Sequence, residues 1–388
     1  MVIYLTLKQG LVIAFIPFIG TKQEFEDAVL KAPDLIKKYG YPVEKHEVET
    51  QDGYLLTLHR IPPLDYVKPP VLLLHGLMSD SADFIIIGPR NAIGYLLSDA
   101  GYDVWLGNSR GNTYSRNHKY YIPESREFWE FSWHEVGVYD LPAMIDYILN
   151  VTSWRNLYYI GYSQGTTAFY VMASELPQYN KKVRLKINLA PVVFMSNIRS
   201  PVLKLFSPFS FYLKDLWSLL GGFELRSQSY LMSEILRIFC RDGVITQPLC
   251  YTIRFLITGY SYDQLNTTAL PVIMSHTPAG ASTLQCLHYA QLVYTGRFCQ
   301  FDHGWKNYWI YQQYTPPDYN LENVTTPVVL MYSTNDWLSD VKDVDKLEEI
   351  LPNVVLKYEI PNPMFSHPDY TYGKDVRSLV YEKILELL

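Results

Sequence analysis

No run of lysine and arginine occurs anywhere in the 388 residues, and the formal net charge is −6. A nucleic-acid partner needs a basic face to neutralise phosphates, so that class of function is excluded. The nine histidines include no H-x-x-x-H pair, and no Cys/His cluster stands at ligand spacing, so the chain gives no support to a metal site. A phosphate-cradling P-loop and a G-x-G-x-x-G turn are both absent, and nothing calls for a cofactor. Internal repeats and low-complexity segments are also missing.

What is present is an ordinary globular balance, 48% hydrophobic and 19% charged, over a length that suits one large domain with an insertion or two domains. Aromatic residues reach 15%, with 33 tyrosines. Their apolar bodies and polar tips suit a surface that meets both water and lipid, and equally a core-heavy fold. Residues 1–20 place Lys8 ahead of an apolar run, Leu11 to Ile19, too short to span a bilayer. This is the pattern of a secretory signal peptide; Pro17 and the lack of a small-x-small cleavage site keep an uncleaved N-terminal anchor as the rival reading. Three N-x-S/T sequons, at Asn150, Asn266 and Asn323, are candidate glycosylation sites and fit the same route. Cys240 and Cys250 are near enough in sequence to close a short loop in an oxidising compartment. Cys286 and Cys299 are separated by a helical pattern whose length would keep them apart.

Along the chain, Asp52-Gly53 and the alternating Tyr54–Arg60 segment predict a hairpin. Val71–Leu74, Tyr102–Leu106, Leu157–Tyr162 and Val328–Tyr332 are short apolar runs of the kind buried on both faces of a parallel sheet. Helical patterns fall between them, at Ala92–Leu97, Leu141–Leu149 and Thr166–Leu176. Strands alternating with helices predict an α/β fold, a mostly parallel sheet flanked by helices. From about Met195 to Gln313 the alternation stops, and stretches such as LKDLWSLL and SEILRIFC predict an inserted helical cap. The expected organisation is residues 21–194 as the first part of the core, 195–313 as the cap or lid, and 314–388 as the second part.

The sharpest chemical signal is Gly161-Tyr162-Ser163-Gln164-Gly165, which follows one of these strands and opens a helix. A serine on that tight turn is held in a strained, exposed pose, and flanking glycines avoid clashes with the strand and helix alongside. Serine needs a base oriented by an acid, and in this kind of fold the chain order is nucleophile, acid, histidine. Asp336, just past the run VVLMY, is the candidate acid; Asp340 and Asp343 fall later, where a helix begins. His367 is the sole histidine after Asp336. An oxyanion hole would take its N–H groups from Gln164 and from Leu77, in the loop His75-Gly76-Leu77-Met78. His75 reads as a local hydrogen-bonding residue.

With these residues in place, the chain resembles the acid lipase family, which includes gastric, lysosomal and insect digestive lipases. The resemblance runs from Lys38-Tyr39-Gly40-Tyr41-Pro42 almost to the C-terminus. It is carried by His75–Ile85, Asp103–His118, Phe128–Ile148 and Ser275–Ser282. It implies Ser163, Asp336 and His367 as a triad, the Leu77 and Gln164 amides as oxyanion hole, and a lid opened at a lipid surface. It also implies a cap disulfide at Cys240 and Cys250, in a loop one residue longer than the family's, and an architectural role for Arg110, Asn112, Ser115 and Arg116. The histidine stretch departs from the family's N-H-L-D-F, reading Ser366-His367-Pro368-Asp369-Tyr370, and Pro368 restricts His367 towards extended backbone. The function expected is a secreted or lysosomal lipase hydrolysing acylglycerols or sterol esters at a lipid–water interface. A carboxylesterase for smaller esters and a silent lipid-binding protein are the alternatives. A monomer without an obligate protein partner is the default.

Overall fold

The computed structural model describes residues 2–7, 10–15, 22–63, 68–211, 222–225, 252, 255–267 and 269–388. Its strands are β1 (Val2–Leu7), β2 (Gly10–Phe15), β3 (Glu44–Glu49), β4 (Tyr54–Ile61), β5 (Lys68–Leu74), β6 (Tyr102–Gly107) and β7 (Asn117–His118). They continue with β8 (Leu157–Tyr162), β9 (Val183–Leu189), β10 (Glu224–Leu225), β11 (Ala281–Ser282), β12 (Val328–Tyr332) and β13 (Val354–Glu359).

The main sheet runs in the order β13-β12-β9-β8-β5-β6-β4-β3, with β7 beside β4. All pairings from β6 to β13 are parallel, and the β3–β4 hairpin closes one edge antiparallel. Successive residues of a strand point to opposite faces, so the apolar runs feed two cores. Leu72, Leu74, Trp105, Tyr159 and Leu330 enter one core with Met144 and Val171, from helices Leu141–Thr152 and Gln164–Glu175. Val71, Leu73, Val104, Leu106 and Met331 enter the other with Leu97 and Ile384, from helices Ile93–Asp99 and Glu382–Leu387. Each such fully buried aliphatic side chain contributes about 1.5–3 kcal/mol. The sheet is therefore the rigid reference to which the loops at its carboxyl end are attached.

One central strand departs from the sequence expectation. β9 has the sequence VRLKINL, whose polar residues hide it from a search for apolar runs. Lys186 and Asn188 are nevertheless fully buried. Lys186 Nζ donates to Thr166 O (3.1 Å) and lies 3.3 Å from the Tyr170 ring centre, while Asn188 Nδ2 donates to Val329 O (2.8 Å).

Between β9 and β12 no described residue joins the main sheet. This stretch holds helices Pro201–Phe206, Leu270–His276, Thr283–Thr295 and Asn307–Tyr311, with β10 and β11 pairing antiparallel. Helix Thr283–Thr295 opens on a capping box, in which Ser282 Oγ accepts from Leu284 N–H and Gln285 Oε1 accepts from Ser282 N–H. LKDLWSLL, SEILRIFC, Cys240 and Cys250 lie outside the described residues. The thiols of Cys286 and Cys299 are free. Strands β1 and β2 pair only with each other; the expected leader falls partly on them and partly outside the described residues. Of the three sequon asparagines, Asn150 is exposed. Asn266 Oδ1 accepts from Ala269 N–H, and Asn323 Nδ2, the atom a glycan would occupy, donates to Ser174 O (3.0 Å).

Candidate active site

The chain leaves β8 and reverses at Ser163, whose φ of 50° and ψ of −114° lie where L-residues are strained by about 1–3 kcal/mol. Surrounding bonds hold that conformation. Ser163 N–H donates to Leu189 O of β9 (3.0 Å), and Ser163 O accepts from Thr166 N–H (2.8 Å) and Thr166 Oγ1 (2.6 Å). The flanking glycines are steric requirements. A Cβ on Gly165 would stand 2.2 Å from Leu74 O of β5, and one on Gly161 would stand 2.7 Å from Gly165 O. Helix Gln164–Glu175 can approach the central strands only because those side chains are missing, and this puts Ser163 at the carboxyl edge of the sheet.

Two loops bring the other candidate residues to it. Past the end of β12, the buried Asp336 accepts from Leu338 N–H (2.8 Å) and Ser339 N–H (2.9 Å) through Oδ1. Its Oδ2 lies 2.8 Å from His367 Nδ1, and His367 Nε2 lies 2.8 Å from Ser163 Oγ. An ionised carboxylate only accepts, so Nδ1 carries the proton and Nε2 is free to accept from the serine. The later acids are used elsewhere: Asp340 caps helix Val341–Ile350, and Asp343 binds Asn197 N–H and Nδ2 (2.8 Å each). The histidine loop is pinned by Asp369 Oδ2, which accepts from Ser366 N–H and from Ser261 Oγ, and by Tyr162 OH donating to His367 O (3.0 Å). Pro368 stands at the N-cap of the short helix Asp369–Tyr372, so its restriction on His367 leaves the ring within reach of both partners.

The loop His75–Met78 crosses directly over Ser163, since a Cβ on Gly76 would lie 3.2 Å from Ser163 Cβ. Gln164 is the first residue of its helix, where N–H groups point outward without intrahelical partners. His75 braces this loop. Its Nε2 accepts from Ser109 N–H (3.1 Å) and Asn112 Nδ2 (3.0 Å), so Nδ1–H donates to Gly76 O (2.7 Å). Burial pushes the His75 pKa down to about 4, which keeps the ring neutral. Beside it, the buried Arg110 binds Asp140 Oδ1 (2.8 Å) and the Asp52 carboxylate (2.6 and 2.9 Å), and its guanidinium lies 4.1 Å from the Tyr54 ring centre. Ser115 Oγ donates to Asn108 O (2.9 Å), and Arg116 pairs with Glu224 of the inserted stretch. Motif reading passed over Asp140 and Asn108 and took Asp52 as part of a turn alone. Asn108 Oδ1 accepts from Ser81 N–H and Asn112 Nδ2, tying the loop after β6 to the one after β5. Among the described residues no group of three or more His, Cys, Asp and Glu is placed to hold a metal. No helix among them is long and apolar enough to cross a membrane.

A mostly parallel sheet with a serine on a strained strand-to-helix turn defines an α/β-hydrolase. Residues 69–207 match the family described as the alpha/beta hydrolase fold, and residues 32–88 match the partial alpha/beta-hydrolase lipase region. The chain is 42% identical to "Lipase 1" of Drosophila melanogaster, covering 94% of this chain and 80% of that one. It is 38% identical to the Homo sapiens "Lysosomal acid lipase/cholesteryl ester hydrolase", covering 92% and 90%. A monoglyceride lipase structure from Saccharomyces cerevisiae shares the fold, with a TM-score of 0.58 at 16% identity over 90% of this chain and 96% of that one. The chain belongs to the acid lipase family, and it is a lipase, a serine ester hydrolase.

Proposed function

We propose that Ser163, His367 and Asp336 are the catalytic triad of a lipase acting on neutral lipids, acylglycerols or sterol esters. The observation that carries this is the unbroken relay from Ser163 Oγ through the imidazole to a buried carboxylate, two contacts of 2.8 Å ending on a strained turn. His367 Nε2 takes the serine proton as Oγ attacks the ester carbonyl. The N–H groups of Leu77 and Gln164 receive the oxyanion, each worth about 3–4 kcal/mol in related chemistry. The protonated Nε2 then delivers its proton to the departing alcohol, leaving an acyl ester on Ser163. Water, deprotonated by the same nitrogen, releases the carboxylic acid and restores the serine. Asp336 holds the imidazole in its tautomer and stabilises its charged form.

Residues 21–194 and 314–388 form the catalytic core in this reading, and 195–313 form a cap that acts as lid at a lipid–water interface. The sterol-ester side of the substrate range is supported by the name of the lysosomal relative, the apolar side by the aromatic-rich insertion. Residues 1–20 act as leader into the secretory route, with the lysosome or the extracellular space as destination. Cys240 and Cys250 pair there, and Asn150 is the sequon most open to glycosylation. The enzyme works as a monomer.

The test is hydrolysis of esters of increasing acyl length, with and without emulsified triacylglycerol, wild type beside Ser163→Ala. Rates should rise with chain length and in emulsion, and the alanine variant should lose roughly 10⁶-fold in kcat. Turnover confined to short soluble esters would remove the lipid substrate class. Turnover that survives in Ser163→Ala would remove the nucleophile.

A further inference from the structure

Among the described residues, exposed apolar side chains gather at Tyr120–Ile122 and at Leu205, Phe206 and Phe209, and in largest number between Gly304 and Thr315. Between Gly304 and Thr315, Trp305 (75% exposed), Trp309 (69%) and Tyr314 (80%) stand out from the protein, with Tyr308 and Ile310 beside them. Tyr308 stacks on Tyr314 with ring centres 5.3 Å apart and meets Trp309 edge-on at 5.6 Å, so these three rings form one cluster, while Trp305 has Lys306 Nζ 5.7 Å from its ring centre. Large exposed apolar clusters of this kind mark binding surfaces.

The segment is built to hold them there. Asn307 is buried beneath the cluster; its Nδ2 donates to Asp302 Oδ1 (2.8 Å) and Tyr314 O (3.0 Å), and its Oδ1 accepts from His303 N–H (2.8 Å). Tyr311 OH donates inward to Phe301 O (2.8 Å), and Gln312 turns the chain at a φ of 58°. A single buried amide thus closes both ends of the loop, and the ordering entropy is spent before any partner arrives.

Charge identifies the partner. The chain carries −6 overall, yet residues 303–317 contain no carboxylate and present Lys306 among the aromatics. The flanking acids are committed: Asp302 Oδ1 accepts from Gly304 N–H and Asn307, and Asp318 pairs with Arg297 (2.9 Å). Trp and Tyr with lysine, and no acid, is the composition of surfaces that sit among phospholipid headgroups. The segment is also the C-terminal end of the proposed cap and the first residues after it. Lys306 borders a cleft of about 310 Å³ lined also by Phe223, Leu284, Arg126 and Glu130, the last two paired with each other (2.8 Å), beside the β10–β11 pair.

We propose that Gly304–Thr315 is a preorganised docking surface for the negatively charged phospholipid surface of a lipid particle. This rests on the lipase reading above. The aromatic rings enter the headgroup layer, Lys306 meets its charge, and the cap is brought to the lipid.

The test uses the full chain and the combined variant Trp305→Ser, Trp309→Ser and Tyr314→Ser, whose side chains are exposed. Partition is measured by flotation with phosphatidylcholine vesicles, with and without phosphatidylglycerol, and hydrolysis of a short soluble ester is followed in parallel. The triple variant should lose about tenfold or more of its partition to the charged vesicles and keep its soluble-ester rate. Lys306→Glu should lose severalfold on charged vesicles only. Wild-type partition by the triple variant, no flotation of the wild type, equal binding to both vesicles, or an equal fall in soluble-ester rate would each overturn the proposal. Concentration-dependent dimerisation abolished in the triple variant would also overturn it, assigning the surface to a second copy. If the wild type floats through this segment yet hydrolyses soluble esters alone, the docking surface stands and the lipid-substrate reading falls.

Discussion

Replacing Asp336 by asparagine changes one atom and should reverse the direction of the proton relay. Asp336 Oδ1 accepts two backbone N–H groups, from Leu338 and Ser339, and Oδ2 faces His367 Nδ1. An asparagine can put its oxygen on one side only. Turned towards His367, it would leave two buried N–H groups facing an NH2, each unmet donor costing about 1–3 kcal/mol. The oxygen therefore stays with the amides, and the NH2 faces the imidazole. Nδ1 must then accept, the ring proton moves to Nε2, and Nε2 becomes a donor towards Ser163 Oγ that cannot take its proton. A tautomer block of this kind costs about 10⁴-fold in kcat, or roughly 5.5 kcal/mol of transition-state stabilisation. The assay is kcat on a short soluble ester, with thermal melting alongside. Melting should hardly move, because both backbone bonds survive. A fall in kcat of less than about tenfold in a folded protein would refute the relay through Asp336.

Two further outcomes follow from the packing. Gly165→Ala sets a Cβ 2.2 Å from the backbone oxygen of Leu74 in a central strand, and overpacking of that kind costs about 1–3 kcal/mol or more; melting lowered by several degrees is expected, and unchanged melting would contradict the geometry. Asp80 is buried, which pushes its carboxyl up to about 7, with Asp83 adding to the rise. Its folded pKa thus lies above the unfolded value, so its contribution is fully present below about pH 4 and is lost as pH rises through about 7. Asp80→Asn keeps an oxygen for Ala82 N–H and removes that loss. The variant should gain melting temperature at pH 8 and gain little at pH 4, and equal gains at both would refute the assignment.

How much of this could be read beforehand depended on whether a residue's partner lay in its own segment. Ser163 announces itself because strand, turn and helix are contiguous. Asp336 and His367 were chosen by their order after it, and the structure sets the three within hydrogen-bond distance. β9 was missed because sequence pattern treats Lys and Asn as solvent-facing, whereas Thr166, Tyr170 and Val329 give Lys186 and Asn188 buried partners from other elements. Arg110 drew attention through family resemblance alone. Its anchors lie 30 and 58 residues away, and no period connects them. Asp103 stands inside the apolar run Tyr102–Leu106, yet it is the buried end of a bidentate pair with Arg60, at 2.8 and 3.0 Å.

These attachments divide the proposed machinery in two. Ser163 is held by Leu189 of β9, and Asp336 and His367 by loops that continue directly from β12 and β13, so the proton relay is referenced to the sheet. The Leu77 amide has a different support. The next residue, Met78, turns at a φ of 60°, and its carbonyl accepts from Ala279 N–H (2.7 Å) in the inserted stretch. Ala279 O in turn accepts from Thr113 Oγ1 (3.0 Å), and Gly280 sits so near Gly111 that a Cβ would lie 2.7 Å from its oxygen. The segment around Ala279 is therefore latched both to the loop that carries the proposed oxyanion donor Leu77 and to the loop after β6. Neutral His75 braces the same loop from beneath, accepting from Ser109 and Asn112. A displacement of the insertion at Ala279 would draw on a carbonyl one residue from the proposed oxyanion donor, while the relay, tied to strands, would stay in place. On the proposed assignment of roles, the position of the cap would bear on transition-state stabilisation and leave proton transfer ready.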